Sequence, residues 1–303
     1  MKKIILAVVL LSFSINNAYS QASSFMKKGK ADDSLKKYKE AIADFDQAIQ
    51  LDSNYANAYY YRGISKYHAK DNYEGIKDFT KYVSMEPNFA NAYIYIGLLK
   101  ERIFDSKAAI VAYDKAIELD SKSATTFYDR ATSKMHLGSY TAATLDFNKA
   151  IELDPTYESA YVNRGLTKTH SDDYQGAMQD YNKATELDPN DETAYVDRAL
   201  AEHHEGQNTD AIKDCTKAIS LDSKDETAYV TRGISEYRLN MYKDAITDYD
   251  VAIGLAPKDR VAYYDRGIAK EQDGDKEDAC ADLKKASDMG DGSAKEEYKK
   301  YCQ

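Results

Sequence analysis

The sequence predicts an all-α solenoid, a stack of helical hairpins with no strand pattern interrupting it. Three observations carry that expectation. First, one stretch returns every 34 residues. It reads NAYYYRGISK from Asn57, NAYIYIGLLK from Asn91, TTFYDRATSK from Thr125 and SAYVNRGLTK from Ser159. TAYVDRALAE from Thr193, TAYVTRGISE from Thr227 and VAYYDRGIAK from Val261 follow, and a degenerate copy, SSFMKKGKAD, precedes them from Ser23. A unit this short buries its apolar face only against neighbouring units. Second, each unit carries apolar or small residues at helical spacing, as in Tyr161, Gly165 and Leu166, then Ala177, Tyr181 and Ala184. Third, the chain's four prolines, Pro87, Pro155, Pro189 and Pro257, share one position of the repeat, where they or Ser53, Ser121 and Ser223 end the second helix.

Eight copies fit without a gap, as residues 22–55, 56–89, 90–123, 124–157, 158–191, 192–225, 226–259 and 260–293. Each opens on an aromatic: Phe25, Tyr59, Tyr93, Phe127, Tyr161, Tyr195, Tyr229 and Tyr263. A first small residue follows at Gly29, Gly63, Gly97, Ala131, Gly165, Ala199, Gly233 and Gly267. A second comes at Ala41, Gly75, Ala109, Ala143, Ala177, Ala211, Ala245 and Ala279. This pattern resembles the tetratricopeptide repeat (TPR) over essentially the whole chain after residue 21. The resemblance implies a right-handed superhelix whose first helices line a concave groove, with eight repeats making about one superhelical turn. It also implies a protein or peptide partner in that groove.

The first 20 residues read as an address. Lys2 and Lys3 start it, Ile4 to Phe13 form an apolar run, and Ala18-Tyr19-Ser20 is a small-x-small cleavage site before Gln21. That is a secretory signal peptide, since the run is shorter than the roughly 20 residues a membrane helix needs. No cysteine stands near the site to carry a lipid anchor. The expected product is exported, to the periplasm first and the extracellular space second, with no membrane span in the mature chain. Removing the two lysines takes the formal charge from −10 to −12, because residues 1–20 hold no other charged side chain. An acidic chain without a basic tract is a poor nucleic-acid binder.

Three cysteines remain. Cys215 sits where sister repeats carry Phe45, Phe79, Tyr113, Phe147, Tyr181 and Tyr249, so a buried apolar thiol is expected. A disulfide between Cys280 and Cys302 would staple an amphipathic tail, residues 294–303, over the end of the stack as a capping helix. Two free thiols are the alternative.

One column departs from the leucine usual in the family: Lys28, Arg62, Ile96, Arg130, Arg164, Arg198, Arg232 and Arg266. A second reads Asp44, Asp78, Ala112, Asp146, Asp180, Asp214, Asp248 and Asp282. Both lose their charge in the same repeat, at Ile96 and Ala112. A buried guanidinium needs a carboxylate, so the joint loss predicts structural ion pairs inside each hairpin: Arg62–Asp78, Arg130–Asp146, Arg164–Asp180, Arg198–Asp214, Arg232–Asp248 and Arg266–Asp282.

The groove candidates lie off the packing columns. They are Tyr60, Tyr67, Tyr128 and Tyr237, together with the column His68, Arg102, His136, His170, His204 and Arg238. That column reads either as a weakly basic, pH-sensitive ladder for acidic side chains or a terminal carboxylate, or as a polar edge copied by repeat duplication. The other groove positions are mostly Ile, Leu, Val, Thr and Tyr. TPR proteins that grip acidic chaperone tails use Lys and Asn there, so an extended peptide or amphipathic helix is the better expectation. Repeat two and its junction with repeat three deviate most, through Gly75, Tyr82, Ile96 and Ala112. Volume compensation explains these, and so would a seam of altered curvature.

No enzyme is expected. There is no Gly-rich phosphate loop, nucleophile elbow or metalloprotease helix, and no cofactor or metal is implied. Acidic runs such as Ile117-Glu118-Leu119-Asp120 recur with the repeat and mark helix ends. The expected function is a protein-interaction scaffold of the bacterial envelope. A structural role through self-association is the alternative.

Overall fold

A computed structural model describes the backbone from Lys2 to Gln303 and the side chains from Ala18 onward. The side chains of the expected signal segment, with its apolar run Ile4 to Phe13, lie outside the described residues. Its expected cleavage boundary falls within one continuous helix, α1 (Lys2–Ser34). From there the helices come in pairs: α1 with α2 (Tyr38–Leu51), α3 (Ala56–His68) with α4 (Asn72–Met85), α5 (Ala90–Arg102) with α6 (Ser106–Leu119), and α7 (Ala124–His136) with α8 (Tyr140–Leu153). A second series pairs α9 (Glu158–Thr169) with α10 (Tyr174–Leu187), α11 (Glu192–His204) with α12 (Asn208–Leu221), α13 (Glu226–Arg238) with α14 (Tyr242–Leu255), and α15 (Arg260–Asp273) with α16 (Lys276–Asp288). The last helix is α17 (Gly292–Cys302). No strand occurs among the described residues.

The chain divides into two compact units, Met1–Pro155 and Thr156–Gln303. Within each, every helix packs on its chain neighbours. Successive first helices also touch one another: α1, α3, α5 and α7 in the first unit, α9, α11, α13 and α15 in the second. Successive second helices make no comparable contact. The first helices therefore form the tighter, inner face of each unit.

One left-handed residue turns each hairpin: Lys36, Lys70, Phe104, Gly138, Asp172, Gly206, Asn240 and Gly274, all with positive φ. Where the turn residue carries a side chain, the backbone bears a local steric cost. Inside the hairpin, the first small column lets an aromatic through. A Cβ on Gly63 would come within 2.9 Å of the Phe79 ring, one on Gly165 within 2.6 Å of Tyr181, and one on Gly233 within 2.9 Å of Tyr249. Repeat six meets the same spacing differently: the fully buried Cys215 packs on Ala199 and Ala211. Burial pushes its thiol well above the ordinary range.

The arginines reach two repeats at once. Arg62 Nε donates to Asp78 Oδ2 at 2.8 Å, while its Nη1 donates to Asp46 Oδ1 of the preceding repeat at 2.5 Å. Arg130 bridges Asp146 and Asp114, and Arg266 bridges Asp282 and Asp250. Arg198 pairs with Asp214 and reaches back to Asn182 and Thr185; Arg232 pairs with Asp248 and reaches back to Thr216. Arg164 pairs with Asp180. The intra-hairpin partners Asp78, Asp146, Asp180, Asp248 and Asp282 are buried, so removing one takes the buried carboxylate from its guanidinium at a cost of about 3–5 kcal/mol. The backward contact was not expected. It makes the column an inter-repeat rivet as well as an intra-repeat clamp.

A lysine completes four of the pairs. Lys66, Lys134, Lys168 and Lys270 place their ammonium 2.7–2.8 Å from Asp78, Asp146, Asp180 and Asp282 respectively. Repeats six and seven carry Glu202 and Glu236 at this position, both buried, each with an unpartnered Oε2. Burial, then the adjoining Asp214 and Asp248 carboxylates, push these two carboxyls up to about 8.

At the C-terminal end, α17 packs on α16, with Tyr298 and Cys302 against Leu283, Ala286 and Ala294. Cys280 and Cys302 form a disulfide across a Cα–Cα separation of 5.7 Å.

Candidate functional site

The ladder residues turn toward the repeat before them. His68 stacks on Tyr38, with ring centroids 5.2 Å apart, and His204 stacks on Tyr174 at 4.5 Å. Arg102 lies 3.6 Å over the Tyr67 ring and donates from Nη1 to the Tyr67 carbonyl oxygen at 2.6 Å. His136 Nδ1 sits 3.1 Å from Glu101 Oε2. His170 is exposed just past the end of α9. His68, Arg102, His136 and His204 thus staple one repeat to the next.

Tyr60 and Tyr67 belong to an aromatic cluster at the junction of repeats two and three. Tyr60 packs against Phe79, Tyr82, Phe89 and Tyr95, and Tyr67 against Tyr95. Phe79 and Tyr95 stack at 5.0 Å. Burial raises the Tyr60 phenol far above its ordinary range. Ile96 joins this cluster, and Leu99 fills the space opposite Gly75. The unusual residues of repeats two and three therefore compensate one another in volume. Tyr128 lies against Phe147, with centroids 5.8 Å apart.

An open concavity occurs on the inner face of the second unit. Tyr237 and Arg238, at the end of α13, line a pocket of about 300 Å³ with Ile234, Tyr249, Tyr264, Asp265 and Ile268. A neighbouring one of about 280 Å³ is lined by His203, His204, Gly206, Asn208 and Arg238. Arg238 stands at the border of both. His203 Nδ1 lies 2.9 Å from Asn208 Oδ1, and burial lowers the His203 pKa. Among the described residues, no group of three His, Cys, Asp or Glu side chains is placed to hold a metal ion. No helix among them is long and apolar enough to cross a membrane.

Asp265 belongs to a column overlooked in the sequence, the residue just before each arginine or, in repeat three, before Ile96: Tyr61, Tyr95, Asp129, Asn163, Asp197, Thr231 and Asp265. Its signal is the recurring Asp-Arg dipeptide. Burial is the leading cause that lifts Asp129 and Asp197 to about 6 and Asp265 to about 7. A related motif crosses repeat junctions in the second unit, where the carboxyls of Glu158, Glu192 and Glu226 lie against those of Asp191, Asp225 and Asp259, the capping residues of the following first helices. All three glutamates are raised: Glu192 chiefly by that hydrogen bond, the others chiefly by burial.

Family profiles described as TPR repeat match residues 29–70, and profiles described as tetratricopeptide repeat match 90–123, 124–157, 158–191, 192–225 and 230–294. The chain belongs to the tetratricopeptide-repeat family. TPR structures resemble much of it. A TPR protein from Parabacteroides merdae, 22% identical, covers 80% of this chain and 97% of its own at a TM-score of 0.61. The C-terminal part of a TPR protein from Cytophaga hutchinsonii, 19% identical, covers 78% and 97% at 0.66. YrrB, a TPR protein with an unusual peptide-binding site, is 24% identical and covers 61% and 95% at 0.54. These likenesses show the fold. No curated protein sequence matches the chain.

Proposed function

We propose that this TPR protein is a non-enzymatic interaction scaffold of the bacterial envelope, holding a peptide or protein segment against the inner face formed by its first helices. The observation that carries this reading is the pocket at Tyr237, Arg238, Tyr264 and Asp265. It combines aromatic walls, aliphatic sides and a few polar groups, the composition usual for a recognition pocket. The peptide-binding site of YrrB supports the same use of the fold. Export is supported by Lys2, Lys3, the Ile4 to Phe13 run and Ala18-Tyr19-Ser20, and the Cys280–Cys302 disulfide suits an oxidising compartment such as the periplasm. An acidic chain without a basic tract argues against nucleic acid.

A photocrosslinker at Tyr264 in the intact envelope tests the reading, because a groove-bound partner must be captured there. Self-association is a second reading with its own observation. Val111 and Leu145 occupy equivalent positions of adjacent second helices and are 69% and 66% exposed. Light scattering on Val111→Glu with Leu145→Glu decides it: a dimer that dissociates favours self-association, an unchanged monomer removes it.

A further inference from the structure

The pocket between α13 and α15 is short of one charge. Asp265 is largely enclosed, and every influence on its carboxyl opposes ionisation: burial first, then Asp259 and Asp291. Both of those carboxylates are engaged as helix caps. Asp259 accepts from the Val261 and Ala262 amides, and Asp291 accepts from the Ala294 amide and lies 3.8 Å from Arg260. The cations nearest in sequence are also committed elsewhere, Arg266 to Asp282 and Asp250, and Lys270 to Asp282. From α13 come Tyr237 and Arg238, from α14 Tyr249, and from α15 Tyr264, all lining the same space. Arg238 borders the pocket, yet it makes no ion pair with Asp265.

We propose that this pocket receives the side-chain ammonium of a lysine from a bound protein segment, ion-paired to Asp265 and walled by Tyr237 and Tyr264. The inference rests on the groove reading above and supplies the chemistry of one subsite. An ammonium on a flexible stem pairs with one carboxylate from any direction, without the coplanar, two-pronged approach that a guanidinium makes to it. The stem packs on Ile234 and Ile268, and the tyrosine faces attract the cation. Arg238 at the mouth rejects a second cation and can donate to a carbonyl oxygen of the segment. Binding ionises Asp265, and its proton leaves to solvent. Because Asp265 titrates near 7, the preference for lysine weakens as pH falls below that value.

The test uses the full chain with two blocked peptides, acetyl-Ala-Ala-Lys-Ala-Ala-amide and its norleucine counterpart, titrated while isoleucine methyl resonances are followed. At pH 8 the lysine peptide should shift Ile234 and Ile268 and bind at least about tenfold tighter than the norleucine peptide, the scale of one charge-assisted hydrogen bond. The isosteric Asp265→Asn variant, its spectrum otherwise unchanged, should abolish that difference, and lowering the wild type to pH 5.5 should shrink it. Equal affinity of the two peptides, a preference that survives in Asp265→Asn, or one independent of pH would overturn the lysine subsite. Equal binding of both peptides on the inner face would leave the groove reading standing. Binding of neither peptide overturns the subsite, and crosslinking from Tyr264 then decides the groove separately.

Discussion

Replacing Glu236 by lysine should stabilise the protein. In the sister repeats a lysine at this position places its ammonium 2.7–2.8 Å from the buried aspartate. In repeat seven the buried Glu236 carboxyl instead faces Asp248, with Oε2 unpartnered, and is pushed up to about 8 from an ordinary value of 4.5. The folded chain therefore binds more protons than the unfolded chain between about pH 4.5 and 8, and stability declines as pH rises through that window. Glu236→Lys exchanges a repelled carboxyl for a charge-assisted hydrogen bond, worth about 1.5–3 kcal/mol. The expected gain is about 2 kcal/mol at pH 5, where Glu236 is neutral, and about 4 kcal/mol at pH 9, where it is charged beside Asp248, the linkage term being about halved for solvent screening. Urea unfolding at both pH values measures it. Destabilisation at pH 9, or a gain that does not grow with pH, would refute the assignment of Glu236 as a raised, under-partnered carboxyl.

Three further outcomes follow from the packing. Asp78→Ala leaves Lys66 without its carboxylate and Arg62 with the exposed Asp46, and should cost about 3 kcal/mol, whereas adding Arg62→Leu and Lys66→Leu should recover most of the loss in a denaturation cycle. Phe104 holds φ at 60° and is 96% exposed, so Phe104→Gly should gain about 1 kcal/mol in urea unfolding by relieving the left-handed turn. Cys302→Ser opens a link between residues 22 apart and should lower stability by about 3 kcal/mol, read as early loss of α17 protection in hydrogen exchange.

Much of the architecture was legible in the sequence because a 34-residue period repeats one packing solution. The two small-residue columns marked where the helices of a hairpin approach closely, but that Gly63 faces the Phe79 ring and Gly165 the Tyr181 ring came only from the structure; the joint loss at Ile96 and Ala112 pointed to the Arg–Asp contacts. The backward reach of Arg62, Arg130, Arg198, Arg232 and Arg266 was harder to see, since Asp46, Thr216 and Asp250 look like ordinary exposed helix positions. Their shared offset from the following arginine was the available signal. The left-handed turn residues were hidden too, because five of the eight are not glycine and Lys70 or Phe104 advertises no turn. On the inner face, periodicity located the His/Arg column but not its contacts. His68 stacks on Tyr38, and His136 faces Glu101, because each helix end meets the repeat before it, and such pairing depends on three-dimensional stacking. Asp265 escaped notice because a Tyr-to-Asp change in a half-buried column resembles surface variation until its enclosure is known.

The most direct measurement is photocrosslinking in the native cell from the inner face at Tyr264 and from the outer face at Leu145, followed by mass spectrometry. The account predicts a discrete protein adduct from Tyr264 and none in common from Leu145, with the crosslinked peptide carrying a lysine beside the attachment point. Identical adducts from both positions, or no adduct from Tyr264 while Leu145 captures a second copy of this chain, would contradict a groove-binding scaffold.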